Sequence, residues 1–429
     1  MKSQTELVKA ILNNFKEKEM LQDHIQINDI AIFNKNGEVI EFRFNKVFQH
    51  FEEVVNNFPN IEKIDISHKK LINSIPQNID KLNQLKHFKV VSSDIKKIPI
   101  SFGNLPNLEY LELSENKISD IPSSFENLHK LKVLKLNNNK IRKLSSVITN
   151  LPNIEIIELR NNKIEDIDNK IKNLTSLYRL ELQNNLVSVI PAEIANLKKL
   201  THLLLKGNPI MDMPPSFSKL KDLVYLEINP YYGNNLVEWI GGLSALEHLE
   251  LYADQVTTIP PSFEELSKMR ELILITSPEI DVSILPNLQK LELLEINCHY
   301  PEISWPNLSN LIDLTLNNAK KIDFDKVCQL LNLKILRIYY SDLKEIPSCL
   351  GSIDNLRTLI IENSKLNELP PFLQKLYRIR IRHSNLIEIP SFIDGMKKDK
   401  SRIIEIEGSD SSLLKPGVYF SQIPDMNNK

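Results

Sequence analysis

The apolar positions of the chain recur with one fixed period. Nine leucines stand 23 residues apart through the middle of the sequence, at Leu82, Leu105, Leu128, Leu151, Leu174, Leu197, Leu220, Leu243 and Leu266. Equal steps of this length indicate an internal repeat. One such unit cannot bury its apolar side alone, so the pattern predicts a solenoid in which neighbouring repeats share a continuous core.

Each repeat opens with the two-residue period of a strand. In one copy, Leu111 and Leu113 are separated by Glu112, as in a strand with one buried and one wet side. An asparagine follows each strand, at Asn116, Asn139, Asn162, Asn185 and Asn208. The chain turns through the interior there, and an amide side chain can satisfy buried backbone N–H and C=O groups. We therefore expect one short strand per repeat and a buried asparagine ladder.

The second half of the repeat carries a large apolar residue in register. These residues are Phe102, Phe125, Ile148, Ile171, Ile194, Phe217, Ile240 and Phe263. Prolines precede several of them, at Pro99, Pro122, Pro191, Pro214 and Pro260. Proline fixes φ and lacks an N–H donor, so the return side should be extended rather than a long helix.

The pattern weakens towards both ends of the chain. Later copies carry the strand leucines and isoleucines at steps of about 20 to 23 residues, at Leu311, Leu314, Leu316, Leu333, Leu336, Ile338, Leu356, Leu359 and Ile361. Ile61, Ile64 and Ile66 mark the first copy. The sequence thus predicts an array of about 15 repeats over residues 59–396.

Residues 1–58 are interpreted as an N-terminal cap of helix, hairpin and helix. The hairpin is predicted by apolar runs at 30–33 and 39–44 on either side of a segment that ends in Asn36-Gly37. Residues 397–429 are interpreted as a C-terminal cap that becomes a tail, with residues 403–406 able to form a last strand. A cap with a function of its own remains the alternative for the N-terminal segment.

These residues and their spacing resemble the leucine-rich-repeat superfamily, in its 23-residue intracellular class. The resemblance implies an α/β repeat solenoid: a curved horseshoe with a concave parallel sheet. The sequence is similar to those of Ras-binding scaffold proteins and of plant intracellular Ras-group-related repeat proteins, which hold partners on the concave side. The partner class implied is a protein, such as a small GTPase or a phosphatase.

Charge and cysteine content narrow the possible partners and location. Lys and Arg total 53 against 55 Asp and Glu, so no positive field exists to hold nucleic acid or an anionic membrane. No apolar run approaches a membrane span, and residues 1–18 lack the apolar core of a signal peptide. The cysteines are Cys298, Cys328 and Cys349, an odd number that favours reduced thiols and a cytoplasmic chain.

The sequence offers no catalytic motif. It has only 10 glycines and no phosphate-binding loop, no C-x-x-C and no H-E-x-x-H, so we expect neither an enzyme nor a bound cofactor or metal. His202 and His248 share a strand offset two repeats apart, where backbones about 10 Å apart make a shared zinc improbable. Cys328 and Cys349 are interpreted as small apolar fillers.

Partner information should lie at the outward strand positions, because the leucines are committed to the core. The proposed contact residues are Tyr110, Glu112, Ile156, Glu158, Arg179, Glu181, His202, Leu204, Tyr225, Glu227, His248, Glu250 and Tyr252. Their glutamates should form an acidic column in which neighbouring like charges repel. A secondary basic patch is predicted near the C-terminus, at Arg337, Arg378, Arg380 and Arg382.

One repeat departs from the pattern. Tyr231 stands where the asparagine ladder should continue. Either the substitution is a packing accommodation, or Tyr231 and Tyr232 are displayed to a partner.

Taken together, the sequence favours a non-catalytic scaffold or adaptor that binds a protein on its concave face. The alternatives are a recognition module for peptide or glycan and a regulatory subunit of an enzyme on another chain.

Overall fold

The structure is a computed structural model of the 429-residue chain. It describes residues 4–6, 8–9, 31–43, 51–67, 72–211, 213–229, 239–253, 256–277, 280, 285, 288–297, 308–320 and 322–407. The chain divides into two compact units, residues 1–246 and 247–429. The predicted irregular element around Tyr231 and the tail beyond residue 407 lie outside the described residues; of the first cap helix only residues 4–6 and 8–9 are described, and they are helical.

The first unit is built on short strands. They are β1 (Ala31–Phe33), β2 (Val39–Arg43), β3 (Lys63–Ser67), β4 (His87–Val91), β5 (Tyr110–Glu112), β6 (Val133–Lys135), β7 (Lys143–Leu144), β8 (Ile156–Glu158), β9 (Asp166–Ile167), β10 (Arg179–Glu181), β11 (His202–Leu204) and β12 (Tyr225–Ile228). Its α-helices are Phe51–Asn57 and Ser146–Thr149.

The second unit continues the strand series. Its strands are β13 (His248–Ala253), β14 (Glu271–Thr276), β15 (Leu293–Asn297), β16 (Asp313–Asn317), β17 (Ile335–Tyr339), β18 (Thr358–Glu362), β19 (Arg378–Arg382) and β20 (Ile403–Ile406). Its α-helices are Phe324–Val327 and Phe392–Lys398.

The repeat strands pair in parallel and in exact repeat register. Leu111 lies opposite Leu134, Leu134 opposite Ile157 and Leu180 opposite Leu203 in the first unit. The same holds from β13 to β20 in the second unit, where Leu336 lies opposite Leu359. The leucines at these positions are fully buried. This arrangement confirms the predicted α/β repeat solenoid with about 15 repeat strands among the described residues.

The asparagine ladder is buried as predicted. Asn162 Oδ1 accepts from the N–H of Ile141, and its Nδ2 donates to the carbonyls of Leu136 and Leu159 at 2.9 Å each. Each ladder amide thus joins its own repeat to the preceding one. Asn116, Asn139, Asn185 and Asn208 make the same pattern of bonds.

A second ladder, which was not predicted from the sequence, precedes the first by one residue. Its members have positive φ and are Glu115 (57°), Asn138 (56°), Asn161 (55°), Asn184 (54°) and Gly207 (77°). Asn184 Nδ2 donates to Asn161 Oδ1 at 2.8 Å, and Asn161 Nδ2 to Asn138 Oδ1 at 2.6 Å. At Gly207 a Cβ atom would come within 2.1 Å of Asn184 Oδ1, so a larger residue there would require the Asn184 side chain to move.

The return side is made of short 3-10 turns rather than long helices. Pro99, Pro122, Pro191, Pro214 and Pro260 all sit at the N-cap of such a turn in extended conformation. The large residue three positions later is buried in each case; Phe102, Phe125 and Phe217 have 0% exposure. The proline argument from sequence is therefore confirmed.

At the N-terminal side, β1 and β2 form the predicted antiparallel hairpin. Gly37 has φ 75° in its turn, and Asn34 Oδ1 accepts from the N–H groups of Asn36 and Glu38. Strand β2 then pairs in parallel with β3, the first repeat strand. At the other side β20 pairs in parallel with β19, as expected for a last strand over residues 403–406.

The expectation of reduced thiols is wrong for two of the three cysteines. Cys328 and Cys349 lie 21 residues apart, in the return segments of adjacent repeats, and are joined in a disulfide. Stacking brings their Cα atoms to 5.8 Å, within the usual span of such a bond. They are therefore a covalent link between repeats and not separate apolar fillers, while Cys298 lies outside the described residues.

Among the described residues, no helix has the length and apolar character needed to cross a bilayer.

Candidate binding face

Strand alternation places the proposed contact residues opposite the core. We call this side of the strands the open sheet face. In β5, buried Leu111 is flanked by partly exposed Tyr110 and Glu112, and β8 and β12 show the same alternation. The first unit carries ten of the proposed residues on this face: Tyr110, Glu112, Ile156, Glu158, Arg179, Glu181, His202, Leu204, Tyr225 and Glu227. The second unit carries His248, Glu250 and Tyr252, and the four arginines.

The predicted acidic column is largely neutralised by neighbouring cations. Lys89 Nζ lies 3.4 Å from a carboxylate oxygen of Glu112, and Lys135 Nζ lies 2.8 Å from Glu158. In both pairs the lysine precedes the glutamate by 23 residues, at the same offset of the previous repeat. The column is therefore not a row of unbalanced charges. The sequence signal for this pairing was the presence of opposite charges at the same offset of consecutive repeats.

Glu158 and Glu181 lie directly opposite each other on β8 and β10, as predicted. Repulsion between them is offset because Glu181 also binds the guanidinium of Arg179, whose Nε donates at 2.6 Å. Asn137 Nδ2 donates to Glu158 at 3.0 Å. Glu181 is only 7% exposed, so most of its carboxylate is closed off from a partner.

The C-terminal arginines are likewise paired, so they do not form a free basic patch. Arg337 binds Asp313, and Arg380 Nε and Arg382 Nη2 lie 2.8 and 2.9 Å from Glu405. Burial raises the pKa of Asp313 above its ordinary value, although Arg337 acts in the opposite direction. Arg378 differs: its Nε is buried and has no hydrogen-bond partner in the described part of the chain.

His248 is held between two carboxylates in the second unit. Its Nδ1 lies 2.7 Å from Glu271 and its Nε2 lies 3.3 Å from Glu250. Burial alone lowers the pKa of His248, but the hydrogen bonds to Glu250 and Glu271 outweigh that effect and raise it. Tyr252 donates its hydroxyl to Glu250 at 2.8 Å.

Histidine and tyrosine rings stack across adjacent strands of the first unit. His87 lies against Tyr110 with ring centroids 4.2 Å apart, and His202 lies against Tyr225 at 5.7 Å. Burial raises the pKa of the Tyr110 hydroxyl, and the Glu112 carboxylate reinforces this. Burial, with a smaller contribution from Arg179, lowers the pKa of His202. His202 is therefore an uncharged aromatic surface at neutral pH.

The open sheet face of the first unit contains a recess of about 360 Å³. Six of the proposed residues line it: Arg179, Glu181, His202, Leu204, Tyr225 and Glu227. Arg160 and Gln183 complete the lining, and neither was predicted from the sequence. Each lies two residues after the last strand residue, Glu158 or Glu181. Extending the two-residue alternation by one step would have placed both on the open sheet face.

Leu204 was expected to be an exposed apolar residue, and this is wrong. It is 6% exposed, because Glu181 and Glu227 lie directly opposite it on the two flanking strands. Their longer side chains cover it, so Leu204 forms the floor of the recess.

Glu227 has an environment different from the other glutamates. Tyr225 donates its hydroxyl to one carboxylate oxygen at 2.9 Å, and Gln183 Nε2 donates to the other at 3.2 Å. Within the described residues no lysine or arginine nitrogen forms an ion pair with it. Nor does any cluster of metal-ligating side chains occur in the described part of the chain.

Comparisons with known proteins agree with the fold. A family model for the leucine-rich repeat region matches residues 48–181 and 165–319. The chain matches no curated protein sequence. A leucine-rich-repeat protein of Leptospira interrogans is 27% identical, with 76% of this chain and 79% of that chain covered and a TM-score of 0.57.

Two further solved structures share the fold. An internalin from Listeria monocytogenes is 24% identical, with 83% of this chain and 94% of that chain covered and a TM-score of 0.62. The plant peptide hormone receptor RGFR1, solved in complex with RGF2, is 24% identical, with 83% and 68% covered and a TM-score of 0.59. With its repeat strands and its family match over more than half its length, this chain belongs to the leucine-rich-repeat family, whose fold is that of a binding or recognition module.

Proposed function

We propose that this protein is a non-catalytic scaffold or adaptor that binds a partner protein on the open sheet face of its first unit. The observation that carries the proposal is the recess on β10, β11 and β12. It combines an apolar floor at Leu204, a stacked aromatic wall of His202 and Tyr225, and the carboxylate of Glu227. Aromatic surface beside a few oriented polar groups is typical of protein recognition sites.

The partner is proposed to be a protein rather than nucleic acid. Charges on the open sheet face are mostly paired, as Lys135 with Glu158 and Arg179 with Glu181 show. A phosphate backbone needs unpaired cations. The plant receptor RGFR1 carries a peptide partner on the same fold, which supports a protein or peptide ligand here. A small GTPase or phosphatase partner is proposed from the family resemblance. A cytoplasmic location is proposed from the sequence, although a disulfide joins two of the three cysteines on which that prediction was based.

Affinity capture with the full chain tests the proposal. The wild type, a His202→Ala/Tyr225→Ala variant and a Lys172→Ala/Lys199→Ala variant would be compared as baits in lysate of the source cells. Lys172 and Lys199 are exposed outside the open sheet face, in repeats of the same unit, which makes them matched controls. We expect the partner to be retained by the wild type and the control and lost by the face variant. Equal capture by all three baits would contradict the proposed face.

A further inference from the structure

Gln183 has a buried polar atom that none of the described residues satisfies. Its side chain is 8% exposed, and its Oε1 accepts no hydrogen bond from the described residues. The amide cannot be reversed to remove the problem, because Nε2 must face the carboxylate of Glu227, 3.2 Å away. A buried acceptor without a donor costs free energy unless a ligand supplies one.

The position of this atom is tied to the recess. Gln183 follows β10, whereas Glu227 lies on β12, two strands away. The hydrogen bond between them therefore crosses above Leu204 on β11. It fixes the amide and the carboxylate side by side in the lining, with Gln183 Oε1 and both Glu227 oxygens available as acceptors.

The charged side chains of the recess differ in how far neighbouring groups or water compensate their charge. Arg179 is bound to Glu181, so these two charges compensate each other. Arg160 is exposed, and water screens its charge at little cost. Glu227 is half-buried, and among the described residues it accepts only from two neutral donors. The group that would best complement the recess is therefore a cationic hydrogen-bond donor placed beside Glu227.

We infer that the recess holds one arginine side chain of the partner protein, with Glu227 as its counter-charge and Gln183 Oε1 as an additional acceptor. A guanidinium has five N–H donors in a planar fork, so it can reach both groups together. The recess volume of about 360 Å³ is near the lower end of ligand sites, which suits a single side chain.

This inference rests on the proposed function but can be tested without the partner. The probes are N-acetyl-arginine amide, N-acetyl-lysine amide, N-acetyl-glutamine amide and N-acetyl-glutamate amide, titrated against the full chain by ligand-observed NMR. We expect the arginine probe to bind at least about tenfold more tightly than the glutamine probe, as one unmet charge pair allows. The lysine probe should fall between them.

Two variants and one control assign the effect. Glu227→Gln should remove the preference for arginine over glutamine, and Gln183→Met should weaken arginine binding by about threefold, as for one hydrogen bond. Glu126→Gln removes an exposed carboxylate from a return turn of the same unit and should change nothing. Melting curves would show that each variant is folded.

The outcomes separate the inference from the proposed function. Equal binding of arginine and glutamine probes, preference for the glutamate probe, or a preference that survives Glu227→Gln would overturn the arginine site. In that case a partner captured through His202 and Tyr225 would still support protein binding on this face. Conversely, failure to capture any partner would contradict the proposed function while the probe titration still decides the chemistry of the recess.

Discussion

Lys135 Nζ lies 2.8 Å from a carboxylate oxygen of Glu158, and the two residues occupy the same offset of adjacent repeats. Their side chains are 27% and 14% exposed, so the pair lies at the edge of solvent. Because the strands stack in register, each such offset holds a row of side chains. Opposite charges at the same offset of consecutive repeats are therefore brought into contact by the strand register alone.

A charge swap tests this pairing. Lys135→Glu and Glu158→Lys should each destabilise the protein by about 0.5–1 kcal/mol, because each places like charges in contact. The double variant restores opposite charges and should recover most of that loss. Denaturant unfolding of the four proteins gives the coupling free energy. Additive losses in the double variant would show that the pair contributes nothing.

The asparagine ladder predicts a larger effect at Asn162. Replacing Asn162 with Leu leaves the N–H of Ile141 and the carbonyls of Leu136 and Leu159 without their partner inside the core. We expect a loss of about 2–4 kcal/mol in the free energy of unfolding.

Asn173 provides the matched control, since it is exposed on the return side of the same repeat. Asn173→Leu should change stability by less than about 0.5 kcal/mol. Both variants would be measured by chemical denaturation. Similar small losses for the two would mean that the ladder amides contribute little to the solenoid.

The disulfide between Cys328 and Cys349 predicts a redox-dependent stability. It closes a short loop of 21 residues, for which chain entropy corresponds to about 3 kcal/mol. A thiol reductant should lower the melting temperature of the wild type but leave a Cys328→Ser/Cys349→Ser variant unchanged. Peptide mapping by mass spectrometry without reduction should recover the two cysteines in one linked pair. Unlinked peptides from protein purified without reductant would contradict the bond.

His248 and His202 predict opposite responses to pH. The pKa of His248 is raised in the folded state, so its contribution is fully present below about pH 6.5 and is lost as pH rises through the raised value. The stability difference between wild type and His248→Gln should therefore be larger at about pH 5.5 than at about pH 8.5, by on the order of 1 kcal/mol.

The pKa of His202 is lowered, so the sign reverses. Its contribution is present above about pH 6.5 and is lost as pH falls through the lowered value. The difference between wild type and His202→Gln should shrink in acid. Melting temperatures of the three proteins at the two pH values check both signs at once. Parallel trends for the two variants would contradict the environments described here.

Much of the site follows from sequence, but its charge balance does not. The alternation of Leu180 with Arg179 and Glu181 predicts which side chains share the open sheet face, since a strand has only two sides. What neutralises Glu181, or covers Leu204, depends on side chains from flanking strands and on how far each one reaches. The acidic column was therefore read as unbalanced, and Leu204 as exposed.

The repeat itself was determined by the sequence alone. A period of 23 residues places equivalent side chains in equivalent surroundings, so Leu111, Asn162 and Phe217 could each be assigned to the core from their spacing. Only the tertiary structure decided that Cys328 meets Cys349, that no lysine or arginine among the described residues forms an ion pair with Glu227, and that Gln183 buries an acceptor. The physical reason is that a repeated pattern constrains the average repeat, whereas these contacts arise where adjacent repeats differ in side-chain length and charge.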